Sequence, residues 1–158
     1  MQKRLLNLMM LVIGMLFFSC EKSEGPDPTD PKNAEDEALE LLTGGSNITW
    51  TVADGGSVTK DGQSVTGDYS GFELRLISSA SNRTYSATDN PIFDRSGTWS
   101  FLGGNYDKIQ LSGNQPAANK EISFSRNGDK LTLKFNIPLP NVRVNALAGS
   151  YVFELVKK

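Results

Sequence analysis

Residues 130–137 read KLTLKFNI. Leu131, Leu133, Phe135 and Ile137 alternate with Thr132, Lys134 and Asn136. A strand turns successive side chains to opposite faces, so this spacing predicts a strand with one apolar and one polar face. Just upstream, Asn127-Gly128-Asp129 reads as a tight turn, with Ile122 and Phe124 on the strand before it. Downstream, the link Pro138–Ala148 leads to a last strand marked by Tyr151, Phe153 and Leu155.

The same period runs back to residue 46. Ile48, Trp50, Val52, Gly56 and Val58 share one parity. That continuity predicts one long strand, roughly 47–59, bent at Gly55-Gly56, where paired glycines suit a bulge. Phe72, Leu74 and Leu76 follow, then Tyr85 and Ala87, Trp99 and Phe101, and Ile109 and Leu111. With the three strands already named, this makes eight.

The links between strands carry the topology. Ser78–Asn82, Gly103–Tyr106 and Asn127–Asp129 are short, whereas Lys60–Ser70, Thr88–Ser96, Ser112–Asn119 and Pro138–Ala148 are long. In an up-and-down meander alternate links lie at opposite ends. All tight turns therefore fall at one end, the floor, and all long loops at the other, the mouth. Eight strands can close on themselves and so hide their edges. The predicted fold is all-β: an eight-stranded antiparallel up-and-down barrel, with both chain ends at the floor.

One short helix precedes the barrel. In NAEDEALELLTGG (33–45), Asn33 fits an N-cap and Asp36 an N3 position, and Gly44-Gly45 fit a C-terminal stop. Ala38, Leu39, Leu41 and Leu42 give it a narrow apolar face. Some nine helical residues would not persist alone in water, so the helix is expected to dock on the floor.

The chain opens on a leader. Lys3 and Arg4 precede an apolar stretch, Leu5–Phe18, of 14 residues. That is shorter than the about 20 residues a membrane-crossing helix needs. It has the length of an export-signal core, with Ser19 before the cut. The only cysteine, Cys20, then begins the mature chain. Residues 1–19 are expected to be a lipoprotein signal peptide, with Cys20 the lipid-bearing residue. Residues 20–32 are expected to be a flexible linker rich in proline and charge, and residues 33–158 the barrel domain.

Composition narrows the function. The chain has 16 basic and 18 acidic residues, and loss of Lys3 and Arg4 with the leader leaves 14 against 18. Nucleic-acid partners want a basic patch, so none is expected. With no histidine in the sequence, Ser–His and Cys–His dyads and His-ligated metals are excluded. Asp54-Gly55-Gly56 and Asp61-Gly62 lack the spacing of a calcium loop and read as turns. The expectation is no catalysis, no cofactor and no metal.

Several segments together resemble the lipocalin-like lipoproteins of Bacteroidetes. They are the Leu16-to-Cys20 box with its acidic, proline-rich linker, LLTGGSNITW (41–50), DYSGFELRL (68–76), SGTWSF (96–101), KLTLKF (130–135) and AGSYVFEL (148–155). Lipocalins proper carry Gly-x-Trp on the first strand. Here Trp50 holds that place, while a literal Gly97-Thr98-Trp99 lies on the fourth strand. The resemblance implies a lipocalin-like barrel held on the outer membrane by its lipid, at the periplasmic face or cell surface. It implies no particular activity.

Two readings of the barrel remain open. Inward aromatics, including Phe72, Tyr85, Trp99 and Tyr151, would line a pocket for a small apolar or amphipathic ligand, or would simply fill the cylinder. Ile92, Phe93, Leu139, Val142 and Val144 on the mouth loops would form a lid or partner surface, or would fold inward as a seal. In the second case the protein would be a solid interaction module whose mouth loops touch protein or glycan. Arg126 shares the inward parity beside the floor turn. It would hold a ligand carboxylate or, more simply, be solvated or stack on Trp50.

Overall fold

The computed structural model describes residues 31–79, 81–139 and 146–158. Cys20, Val142 and Val144 lie outside the described residues. A helix, α1 (Pro31–Thr43), is followed by ten strand segments. These are β1 (Asn47–Thr51), β2 (Ser57–Lys60), β3 (Gln63–Ser64), β4 (Glu73–Ser79), β5 (Asn82–Thr88), β6 (Ser96–Phe101), β7 (Lys108–Leu111), β8 (Ile122–Asn127), β9 (Lys130–Ile137) and β10 (Gly149–Lys157). They form one antiparallel sheet in the order β1-β4-β5-β6-β7-β8-β9-β10-β2-β3, and a further β1–β10 pairing closes it into a barrel.

Ten segments make eight staves because β1 and β2 are one bent strand, as the parity of residues 47–59 implied, and because β3 pairs only with β2, outside the closed ring. Thr51 faces Val156 and Ser57 faces Glu154, so six steps on one strand match two on the other. The surplus is a bulge, closed by the Gly56 N–H donating to Val52 O at 2.9 Å. Gly56 is required there: a Cβ would stand 2.7 Å from Glu154 O and from Val52 Cα, both backbone atoms that cannot move aside cheaply.

The link after the first stave is not a plain loop. Lys60 pairs with Gln63 across Asp61-Gly62, both at positive φ, which makes a tight hairpin with β3. A 3-10 turn (Thr66–Tyr69) follows. At this level β2 has left β4, and the turn lays Tyr69 and Phe72 into the gap. Val52 N–H and the Thr51 hydroxyl both donate to Phe72 O, at 3.1 Å each.

Alternation decides the layers. On β9 residues 131, 133, 135 and 137 are buried, and on β10 residues 151, 153 and 155. The outward positions are Thr84, Ser86, Thr98, Ser100, Lys134 and Glu154, side chains that suit water.

The floor is where the sequence placed it, beside the turns at 79–82 and 127–130, and α1 covers it. The helix begins at Pro31, two residues before the expected cap, so Asn33 lies inside it. Proline suits a first helical position because the amide it lacks would have no partner there. At the other end Gly44, at positive φ, donates to Glu40 O at 2.9 Å, the expected stop. Ala38 and Leu42 are buried and Leu39 packs against the core, but Leu41 faces solvent, which corrects its place on the apolar face.

Candidate functional site

At the mouth the links at 60–70, 88–96 and 112–119 converge. The structure fills it. Phe93, from the loop between β5 and β6, lies with its ring centroid 5.9 Å from Phe72, 5.4 Å from Phe135 and 6.1 Å from Phe153. Tyr69 packs edge-on to Phe153 at 5.1 Å, and Phe135 stacks on Tyr151 at 5.4 Å and 10°. Offset and edge-to-face contacts at these distances are attractive, so the rings form one packed cluster. Ile92 and Ala117, also from mouth loops, are fully buried beside it.

The loops are held down by short polar side chains. Asn90 Oδ1 accepts from the N–H groups of Ile92 (3.1 Å) and Phe93 (2.5 Å), a local turn that aims both apolar residues inward. Asp94 Oδ2 accepts from Asn114 N–H (2.8 Å) and Gln115 N–H (2.9 Å) on the loop between β7 and β8. Ala117 N–H donates to Ile92 O at 2.9 Å. Asp61 Oδ1 clasps the start of β10 through Ser150 N–H at 2.8 Å. These acidic side chains cap backbone, and among the described residues no three acidic, cysteine or histidine side chains converge as a metal site would require.

The candidate residues separate into three groups. Phe72, Ile92, Phe93 and Tyr151 meet in the mouth cluster. Tyr85 and Trp99 do not: Trp99 lies toward the floor, its indole N–H donating to Ile77 O at 3.1 Å. Tyr85 crosses Gly97, and its hydroxyl donates to Ser112 O at 2.6 Å. A Cβ on Gly97 would stand 2.8 Å from the Tyr85 ring, so the glycine of Gly97-Thr98-Trp99 makes room for a tyrosine. Leu139 lies outside both, 69 % exposed. Tyr69 was not predicted, because a 3-10 turn breaks the period of two that marked the other rings.

The buried phenols are held neutral. Burial, followed by the charge of Asp94, pushes Tyr85 from its ordinary 10.0 up to about 12. Burial likewise raises Tyr69 and Tyr151, and the Tyr151 hydroxyl donates to Leu147 O at 3.0 Å. A folded-state pKa above the unfolded one means that the unfolded chain releases its proton first as pH rises. For Tyr85 the stabilisation is intact below about pH 10 and is lost as pH climbs through about 12. Tyrosinate absorbance is therefore expected to appear together with loss of the β-sheet dichroism, not before it. Tyr85→Phe should flatten that alkaline limb while costing about 1 kcal/mol at neutral pH for the lost hydrogen bond. Ionisation of Tyr85 at pH 10 in a chain that stays folded would contradict its placement.

Arg126 takes the structural role. Its guanidinium lies 5.2 Å from the Trp50 ring centroid, and Nη1 donates to Glu40 O (3.2 Å) and Leu41 O (3.1 Å), the exposed carbonyls at the end of α1. Trp50 itself donates its indole N–H to Leu42 O at 3.0 Å. Arg83 repeats the device at the helix's other end. It pairs with Glu35 and lies 5.4 Å from the Trp99 ring and 5.0 Å from Phe101. The floor is thus a helix pinned by two arginines, each laid over a tryptophan.

One cleft, of about 320 Å³, is lined by Ala87, Thr88, Asp89, Asn90 and Arg95. Another, of about 490 Å³, runs over β9 and β10 below the loop that carries Lys120. Comparison with known proteins finds no matching family model, no matching curated protein and no matching solved structure.

Proposed function

We propose that this chain is a lipid-anchored cell-envelope lipoprotein, similar in build to lipocalin-like lipoproteins. Its barrel acts as a solid interaction module and carries no ligand inside. One observation bears most of the weight: Ile92 and Phe93 occupy the space a guest would need, among Phe72, Phe135 and Phe153. A carrier of a small hydrophobic ligand presents an apolar cavity, whereas here the chain's own side chains take that volume. The protein works by binding and not by catalysis, through surfaces at the mouth end.

The anchor reading is supported by the position of Cys20 directly after the apolar stretch. The helix that follows the linker covers the floor, so a tether at Cys20 turns the mouth away from the membrane. From Cys20 to Pro31 the chain spans at most about 40 Å. Two or more acyl chains would hold it stably on the outer membrane, at the periplasmic face or cell surface.

Expression in a bacterial host with an alkyne-tagged fatty acid tests the anchor. The full chain is expected to take the label and sediment with membranes, and Cys20→Ala is expected to lose both. A wild-type chain that stays unlabelled would end the lipoprotein reading. Uptake of a neutral fluorescent apolar probe by the wild-type barrel would favour the carrier instead.

A further inference from the structure

The groove over β9 and β10 differs from the rest of the exterior. Its lining is Lys120, Glu121, Lys134, Asn136, Ser150 and Val152, with Phe135 and Tyr151 at its base. It exists because β8 starts at Ile122, opposite Phe135, while β9 continues to Ile137. Beyond that pair β9 has no β8 neighbour, and the Lys120–Glu121 segment stands to one side of a trough.

Charge makes the trough distinctive. Glu121 is already used, its carboxylate lying 2.8 Å from Lys108 Nζ. Lys120 and Lys134 have no ion-pair partner among the described residues. The chain as a whole is acidic, with a net charge of −2. Two uncompensated ammonium groups over a largely apolar trough are therefore a local reversal of sign. A polar pair lies beside them, the Ser150 hydroxyl donating to Asn136 Oδ1 at 3.2 Å.

We infer that this trough is a binding site for a small amphipathic anion, a carboxylate carried on a flat apolar body. The carboxylate lies between Lys120 and Lys134, and the apolar body rests against Val152 and the backbone over Phe135 and Tyr151. An ammonium–carboxylate contact is a charge-assisted hydrogen bond, stronger than a neutral one, and it weakens with salt at an exposed site. The site is outside the cylinder, so it goes beyond the interaction role proposed above and needs neither a hollow barrel nor the anchor.

Titration calorimetry on the full chain with naphthoate and its neutral isostere naphthamide tests the site. Naphthoate is expected to bind and to weaken as salt is raised, and naphthamide is expected to bind at least about tenfold more weakly. The double reversal K120E/K134E, both at the water-facing surface, should cut naphthoate affinity by about tenfold or more and leave the thermal midpoint in place. Equal affinity for the two probes, or a K120E/K134E chain that binds as before, would overturn the proposal. Phe93→Ala separates the sites: naphthoate affinity is expected to be unchanged by it, and binding that appears only when Phe93 is removed belongs to the interior and also overturns the proposal.

Discussion

Replacing Phe93 with alanine is expected to lower the unfolding free energy by about 3–5 kcal/mol, the range for removing a fully enclosed aromatic ring. The ring is 3 % exposed and touches Phe72, Phe135 and Phe153. Those neighbours sit on or next to β4, β9 and β10, the more heavily paired part of the barrel, which cannot close in on a void. Eight residue pairs join β9 to β10 and seven join β4 to β5, against two between β7 and β8. The cavity term therefore adds to the lost burial. Urea denaturation would show the change as a lower midpoint at an unchanged slope. The same variant should acquire affinity for a small neutral apolar molecule that the wild type ignores, since a dry apolar void accepts one. A loss below about 1 kcal/mol would mean that the loop can leave the barrel freely, and the solid-core reading would fail with it.

Trp50→Ala is expected to be comparably severe, about 3–5 kcal/mol, and to act at the opposite end. Trp50 is fully buried, anchors the end of α1 through its indole N–H to Leu42 O, and is the surface on which Arg126 lies. Removing it opens a void and leaves Arg126 and the Leu42 carbonyl short of partners. Trp50→Phe keeps most of the apolar area and loses the hydrogen bond, so it should cost about 1 kcal/mol beyond the change in volume. Arg126→Ala should cost less than Trp50→Ala, because a stacked guanidinium contributes about 0.5–2 kcal/mol. The two substitutions should be non-additive in a double-mutant cycle, as contacting residues are. Proteolysis of α1 offers a second readout: cleavage within residues 34–43 should rise in both variants while β9 and β10 stay protected. Additive effects would mean that floor and helix are not one unit.

Most of the barrel was legible because its signal is local. Leu131, Leu133, Phe135 and Ile137 needed only their spacing to declare an inward face. Gly55-Gly56 within an unbroken parity announced a bend, and the unequal links announced which end was open. Arg126 was legible for a similar reason: its parity pointed inward and its neighbours Asn127-Gly128 put it at the floor. The failures lie where period two stops. Tyr69 sits on a 3-10 turn, the β2–β3 hairpin is only a few residues long, and α1 starts at Pro31 because a cap depends on backbone geometry that several residue types satisfy. Nothing in the local sequence sets Lys120 and Lys134 apart, because the trough beside them depends on where β8 begins relative to the far end of β9.

By itself the sequence determined the eight staves, their inward faces, the sense of the meander and the placement of the one cysteine after an apolar stretch. Each follows from neighbours within a few residues, through side-chain alternation and turn chemistry. Tertiary structure alone decided whether the cylinder would be hollow or full. Phe72, Phe93, Phe135 and Phe153 come from separate strands and loops, and whether their rings meet depends on loop paths set by Asn90 and Asp94 and on volumes summed across the barrel. No local pattern carries that sum, since close packing is a property of all the side chains at once.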